Sequence, residues 1–447
     1  MSFWWPFKSR YLPLTFAKRT FLLIAFVGGL ILVWYLGCHS HHACTTESEP
    51  SAAESVPCVV LWWTDLGPGE NYIDQILCGY NTCLTTTNRK YFSQAKVIMF
   101  YASSLAWNDL PLPRLPGQIW ALLHEESPRN VPEFLFEEVI QHFNYTSTFS
   151  RYSDFPLTTN SLTNISEITN PQYVVTLGQK NAARASLAPI LFLQSDCSTM
   201  SARTNYVEEL MKHIPVDSYG QCLKNRDMPE SLQQNYLNRL HSNDIYKFIG
   251  QYKFMISIEN GVCEDYITEK FWRPLIAGTV PIYFGSPSIR DWEPHNHSTI
   301  HVTDYKNPKE LAKYIMELDK NDNEYIKYLH HKYNQIEPVT NQRLLESSYV
   351  RADSIMFFTN FACQVLQAMW AQTPKGKMAN RLHYNCPLPF TYPPMESEPT
   401  EIRNWDELMK RSACVAKTID ELLHRNRRFT PQEMADMADV RMKNELC

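Results

Sequence analysis

The chain has 447 residues, with 42 Lys plus Arg set against 47 Asp plus Glu and a formal net charge of −5. No basic run stands out after the N-terminal segment, which argues against nucleic acid as a partner. About 400 residues follow that segment, enough for two ordinary domains and a tail.

Lys8, Arg10, Lys18 and Arg19 precede an uncharged run from Phe21 to Cys38, and no acid occurs before Glu47. A run of this length is about the minimum that crosses a bilayer. The basic flank, opposed by Glu47 and Glu49 beyond the run, orients residues 1–20 to the cytoplasm. Trp34 and Tyr35 suit a membrane interface. A cleaved signal peptide is the competing reading. The run is longer than a usual signal core, however, and Leu36-Gly37-Cys38-His39 is a poor cleavage site. The expectation is a single-pass type II membrane protein whose bulk lies in the secretory lumen.

The twelve cysteines fit that oxidising compartment. Cys78 with Cys83, and Cys363 with Cys386, can close small loops, although sequence does not fix connectivity. Asn144-Tyr-Thr, Asn164-Ile-Ser and Asn296-His-Ser are N-glycosylation sequons that acquire meaning only in the lumen.

Residues 39–56, rich in Ser, Glu, Thr and His, read as a solvated stem. Val59 to Trp63 is a compact apolar run that predicts the first buried strand, followed by strands at Val97–Phe100 and Ile119–Leu123. Apolar and acidic residues alternate at helical spacing from Val131 to Phe143. Together these predict a first α/β domain over 57–185. A second series over 186–345 begins with a strand at Pro189–Leu193 and a helix carrying Tyr206, Val207, Leu210, Met211 and Ile214 on one face. It continues with a strand at 252–258, a helix over Asp265–Ala277 and strands at Thr279–Phe284 and Thr299–Val302. A helix through Leu311, Ile315 and Leu318 then runs towards residue 330. Strand–helix alternation of this kind predicts parallel sheets covered by helices. Residues 346–447 read as a mostly helical extension, interrupted by prolines near 387–394 and closed by a helix that Thr430-Pro431-Gln-Glu433 starts.

The most polar junction lies between the 252–258 strand and the helix after it. Ligands of α/β sheets bind at the carboxyl ends of strands. A helix N-terminus there offers amides to an anion, Lys270 adds a cation, and Glu269 can accept from sugar hydroxyls. The chain contains no Asp-x-Asp, the usual metal-holding motif of nucleotide-sugar enzymes. If the chain handles a nucleotide sugar, cations and amides must stabilise the departing diphosphate, with no metal as cofactor. A lone Thr-Glu-Lys on a helix is usually an exposed charged face, so its context decides.

That context is Glu259-Asn260, Asp265-Tyr266-Ile-Thr268-Glu269-Lys270-Phe-Trp272 and Gly278-Thr-Val-Pro281, all in one frame. It closely resembles the donor-binding motif of the α1,3-fucosyltransferases of glycosyltransferase family 10, and the resemblance extends over roughly residues 57–345. It implies a GT-B architecture, two Rossmann-like domains with a cleft between them. It also implies GDP-fucose as donor substrate, bound by the motif residues Glu259, Asn260 and Tyr266, with Lys270 on phosphate and Glu269 on ribose. Phe143 to Asp154 resembles the segment whose arginine meets the diphosphate, which makes Arg151 a second phosphate ligand, although the family's Pro-Tyr-Gly is Pro156-Leu157-Thr158 here. Leu193-Gln-Ser195-Asp196-Cys197 resembles the strand end over the nucleotide, with Asp196 where the family has asparagine. Val216 to Cys222 matches a nucleotide-side loop that carries Tyr219, a residue equally at home as a packing aromatic, and Cys197 and Cys222 are candidate partners.

His124-Glu125-Glu126-Ser127-Pro128 resembles the family's Glu-Ser-Pro motif and makes Glu126 the general base of an inverting displacement. Register excludes Glu125, although the sequence alone allows either. The branch resembled, the divergent tenth and eleventh members of the series, implies residence in the Golgi or endoplasmic reticulum and transfer to Ser or Thr of small cysteine-rich EMI-like domains. Transfer to GlcNAc of N-glycans is the alternative. A binding or folding protein that has lost turnover is the second alternative, which the altered Asp196 leaves open.

Overall fold

The computed structural model describes residues 58–64, 69, 71–159, 161–233, 240–347, 355–371, 378–388 and 390–447. The expected anchor at 21–38 and the stem at 39–56 lie outside these residues. Among the described residues no helix is long and apolar enough to cross a membrane.

Two sheets organise the chain. The first contains β1 (Val59–Trp62), β2 (Ile73–Cys78), β3 (Asn81–Thr86), β4 (Val97–Tyr101), β5 (Ile119–His124) and β6 (Tyr145–Thr148), in the spatial order β2-β3-β1-β4-β5-β6. All neighbours are parallel except the β2–β3 hairpin. Every residue of β1 is buried, as its unbroken apolar run requires of a strand covered on both faces. β2, by contrast, shows three successive exposed residues at its start, as befits an edge strand.

The second sheet is wholly parallel. It contains β7 (Ile190–Gln194), β8 (Val216–Gly220), β9 (Phe254–Ile258), β10 (Val280–Phe284) and β11 (Ile300–His301), in the order β11-β10-β9-β7-β8. Its helices are α1 (Leu177–Ala183), α2 (Arg203–Met211), α3 (Asn243–Gly250), α4 (Glu269–Ala277) and α5 (Pro308–Asp319). The C-terminal extension contributes α6 (Ile355–Trp370), α7 (Thr400–His424) and α8 (Pro431–Lys443), the last capped by Thr430, which accepts from Glu433 N at 3.1 Å. α6 covers the β2 edge, with Phe361, Val365 and Leu366 in the core beneath it, while α7 packs on the other side of the first sheet.

Several expected elements differ. The helix expected over 131–143 is two short turns, Pro132–Leu135 and Glu137–Ile140, because Phe136 between them is extended. The helix expected from Asp265 begins at Glu269: Asp265 takes φ 63°, and Thr268 is the N-cap, accepting from Lys270 N. The helix towards residue 330 breaks after Asp319, and Asn321 caps a new turn over Asp322–Lys327. The segment read as a nucleotide-side loop, Val216 to Cys222, is mostly β8.

The disulfides correct two expected pairs and match a third. Cys83 faces Ile76 rather than Cys78 across the hairpin, so these two cysteines do not meet. The parallel β1–β3 register sets Cys58 beside Cys83, and the two are bonded. Cys78 pairs with Cys363 of α6, and Cys386 with Cys263, while Cys197 pairs with Cys222. Cys414–Cys447 ties the last residue to α7.

Candidate functional site

β5 ends at His124, and the chain turns at Glu125 and Glu126 on the carboxyl rim of the first sheet. β7 and β9 bring Ser195 and Asn260 to the corresponding rim of the second, and α4 starts beside them. These rims enclose a cavity of about 500 Å³ whose walls include Glu126, Ser195, Asn260, Glu269 and Lys270. It also gathers Arg129, Arg203 and Arg273, against Asp196. With Lys270, four cations face three carboxylates.

Lys270 lies in the first turn of α4. Its Nζ is 3.0 Å from Thr268 Oγ1 and 3.4 Å from both Glu259 Oε2 and Glu269 Oε1. Glu259 is fully buried, accepts from Thr268 N at 2.8 Å and from Thr268 Oγ1, and has its carboxyl pushed up by burial. It therefore acts behind the cavity wall, holding the start of α4 and orienting Lys270. Gly285 makes this possible, since a Cβ there would lie 2.7 Å from Glu259 Cγ. Gly278 closes α4 at φ 72°, the left-handed conformation that favours glycine at a helix end.

Arg203 is buried and donates to the carbonyls of Ile258 (3.2 Å) and Asp196 (2.9 Å). Its Nε and the Oδ1 of Asn260 are buried at the cavity wall without hydrogen-bond partners. A donor and an acceptor left unmade are costly unless a ligand meets them. Arg129 pairs with Asp196 Oδ1 at 2.7 Å, so the residue replacing the family's asparagine anchors an arginine. Arg129 carried no signal in the sequence beyond its charge, and Arg273 only its place directly after Phe271-Trp272 of the motif.

Glu126 is held from two directions. Tyr266, on the loop before α4, donates to its Oε2 at 3.3 Å, and Tyr384 of the extension donates to its main-chain carbonyl at 2.7 Å. Tyr384 is buried, stacks on His124 and packs against Phe149. Nothing in the sequence marked it, because its partner is 258 residues away. Glu125 points elsewhere: its Oε1 accepts from the Tyr101 hydroxyl at 2.5 Å, and burial pushes its carboxyl up to about 7.

Four expected donor ligands do not line this cavity: Glu259 and Tyr266 stand behind its wall, and Arg151 and Tyr219 lie further away. Arg151 is clasped by Asp265, with Nε at 2.8 Å and Nη2 at 2.6 Å, and its Nη1 meets Asp291 at 2.6 Å. It faces a different cavity of about 860 Å³, shared with Trp292 and Phe361. The Asp265 bonds raise the guanidinium further above its ordinary value. Burial pushes the Asp265 carboxyl up, but the Arg151, Ser288 and Trp292 hydrogen bonds outweigh it and hold it low. Tyr219 lies in the core, sharing a hydrogen bond of 2.8 Å with the Tyr252 hydroxyl and meeting Phe248 edge-on. Of the sequons, Asn164 and Asn296 are exposed, whereas Asn144 is half-buried and its Oδ1 accepts from Trp120 N at 2.9 Å.

The family models "Fucosyltransferase, N-terminal" and "Glycosyltransferase family 10 (fucosyltransferase) C-term" match residues 54–159 and 184–384. The chain belongs to glycosyltransferase family 10, the fucosyltransferases. It is 44% identical over 402 residues to "Alpha-(1,3)-fucosyltransferase B" of Drosophila melanogaster, covering 88% of this chain and 90% of that one. It is 40% identical over 395 residues to the "GDP-fucose protein O-fucosyltransferase 3" of Homo sapiens, covering 84% and 81%. A crystal structure of an alpha1,3-fucosyltransferase with GDP-fucose aligns with 74% of this chain and 95% of its own, at 17% identity and a TM-score of 0.39.

Proposed function

We propose that this family 10 fucosyltransferase moves L-fucose from GDP-fucose to a Ser or Thr hydroxyl of a folded, cysteine-rich protein, with inversion. The observation that carries the reading is that Glu126 and Lys270 line one cavity. The diphosphate lies against Lys270, Arg203 and the start of α4, with Glu269 and Asn260 towards the nucleoside and Ser195 at the rim. Glu126 takes the acceptor proton as the acceptor oxygen attacks the anomeric carbon. The bond to the GDP oxygen breaks as the new one forms, through an oxocarbenium-like transition state. The cations stabilise the charge that grows on GDP, and the two rims hold the reactants in line. Arg151 acts by positioning Asp265 and hence the loop that carries Tyr266, and Tyr219 acts as packing. No metal takes part in transfer.

Boundaries near 57–185, 186–345 and 346–447 go with this reading, one α/β half for each substrate. Residence in the Golgi or endoplasmic reticulum through a helix at 21–38, with Asn164 and Asn296 as glycan acceptors, is part of the same proposal. The five disulfides among the described residues support an oxidising compartment.

The name of the Drosophila relative speaks of an α1,3 linkage, and the second reading is α1,3-fucosylation with GlcNAc of N-glycans as acceptor. The test offers GDP-fucose with a folded EMI domain beside a GlcNAc-terminated N-glycopeptide and reads added deoxyhexose by mass spectrometry. Label on Ser or Thr supports the first reading. Label on GlcNAc replaces it with the second, and label on neither with GDP still bound turns the chain into a binding protein.

A further inference from the structure

Three metal-competent side chains meet away from the donor cavity, where the C-terminal extension docks on the first sheet. Asp420 and His424 stand four residues apart on α7 and so share one face of the helix. His142 follows the Glu137–Ile140 turn, which packs against α7. Asp420 Oδ1 lies 2.7 Å from His142 Nε2 and 3.2 Å from His424 Nδ1. All three candidate ligand atoms fall within 4.8 Å of one another. Donor atoms around a tetrahedral zinc ion are separated by roughly 3.3 Å, given bonds of about 2.0–2.1 Å.

We propose that His142, Asp420 and His424 bind Zn²⁺, with water as the fourth ligand, and that the ion clamps α7 to the segment leading into β6. Imidazole and carboxylate are the donors this ion accepts, and zinc outcompetes manganese at such a site. The surroundings suit it. Gln141 Nε2 donates to the same Asp420 Oδ1 at 3.2 Å, and Arg114 Nη1 donates to the His142 carbonyl at 2.9 Å, fixing the loop. The side chains of His142 and Asp420 are 16% and 25% exposed, while that of His424 is 68% exposed, which leaves one side open to water and ion. The His424 Nδ1 now hydrogen-bonds the Asp420 carbonyl at 2.8 Å, and binding redirects it to the metal. None of the three residues lines the donor cavity, so the ion is structural and separate from transfer.

The test titrates ZnCl₂ into the full chain after EDTA stripping and removal of the chelator. Wild type is compared with His424→Ala and Asp420→Asn. His39, His41 and His42 can also take up zinc, so the readout is the difference between proteins. Wild type should bind one equivalent more than either variant, or bind it about 10-fold more tightly. Its Tm should rise by about 2–4 °C more. His424→Ala, at an exposed position, should keep the metal-free Tm, and Mg²⁺ should shift none of the three. Equal stoichiometry, affinity and Tm shift in wild type and both variants would overturn the proposal, as would an equal response to Mg²⁺.

Discussion

The Tyr266 hydroxyl donates to Oε2 of Glu126 across 3.3 Å, joining the loop before α4 to the rim of the first sheet. Such a bond fixes the carboxylate of the proposed base while leaving its Oε1 for an acceptor proton. Tyr266→Phe should lower kcat about 10-fold with little change in the donor KM, as expected of an interaction used in the transition state. Steady-state kinetics with varied GDP-fucose check this. A rise in donor KM at constant kcat would instead make Tyr266 a donor contact.

Adjacent carboxyls allow a sharper comparison. Glu126→Gln should reduce transfer by about 10²–10⁴-fold, the usual range for a lost general base. GDP affinity, measured by calorimetry, should stay within about twofold. Glu125→Gln should retain most of the transfer, because the Tyr101 hydroxyl holds that carboxyl away from the cavity wall. Reversed results in the two variants would move the base by one residue.

Lys270 has two duties that can be separated. Its Nζ lies 3.4 Å from Glu259 Oε2, and Glu259 is fully buried. Lys270→Met should weaken GDP binding by about 10-fold or more. It should also destabilise the fold, by up to about 3–5 kcal/mol, because a buried carboxylate loses its cation and keeps only its Thr268 hydrogen bonds. The double variant Lys270→Met/Glu259→Gln should recover most of the lost Tm but none of the GDP affinity. If Tm fell in the single variant while affinity held, the lysine would be structural alone.

The legible parts of this molecule were those carried by local pattern. The unbroken apolar runs of β1, β4, β5, β7 and β10 announced buried parallel strands. The polar frame from Glu259 to Lys270 announced the cavity, and Glu126 stands in its wall. What escaped depends on contacts distant in sequence. The β2 strand, Ile73-Asp-Gln-Ile-Leu-Cys, lacks an apolar run because only one face is covered, by a helix near residue 360. Tyr384 supports Glu126 across 258 residues. Arg151 was expected on phosphate because the segment from Phe143 to Asp154 resembles the family's, whereas the αL turn at Asp265 that captures it was not visible in the sequence. Two of the three expected cysteine pairs failed for the same reason: the register of β1 on β3 chose Cys58 for Cys83, and Cys78 and Cys386 found distant partners.

Glu125 also gives the fold a pH dependence of defined sign. Its Oε2 is buried without a hydrogen-bond partner, while Oε1 accepts from Tyr101. Burial raises the carboxyl from its ordinary 4.5 to about 7, the Tyr101 bond opposes this, and Glu126 nearby adds to it. The folded state therefore holds this proton more tightly than the unfolded chain does. The contribution to stability is complete below the unfolded value and is lost as pH rises through the folded one. Glutamine mimics the protonated carboxyl, so Glu125→Gln should match wild type in Tm near about pH 4.5 and exceed it increasingly towards about pH 8. Lys180 and Lys332, which burial pushes down to about 7, titrate in both proteins and cancel in the difference. Differential scanning calorimetry across that range checks the prediction. A Tm difference that stayed flat would show that this carboxyl is solvated in the folded protein, and that the Tyr101 contact is not kept in solution.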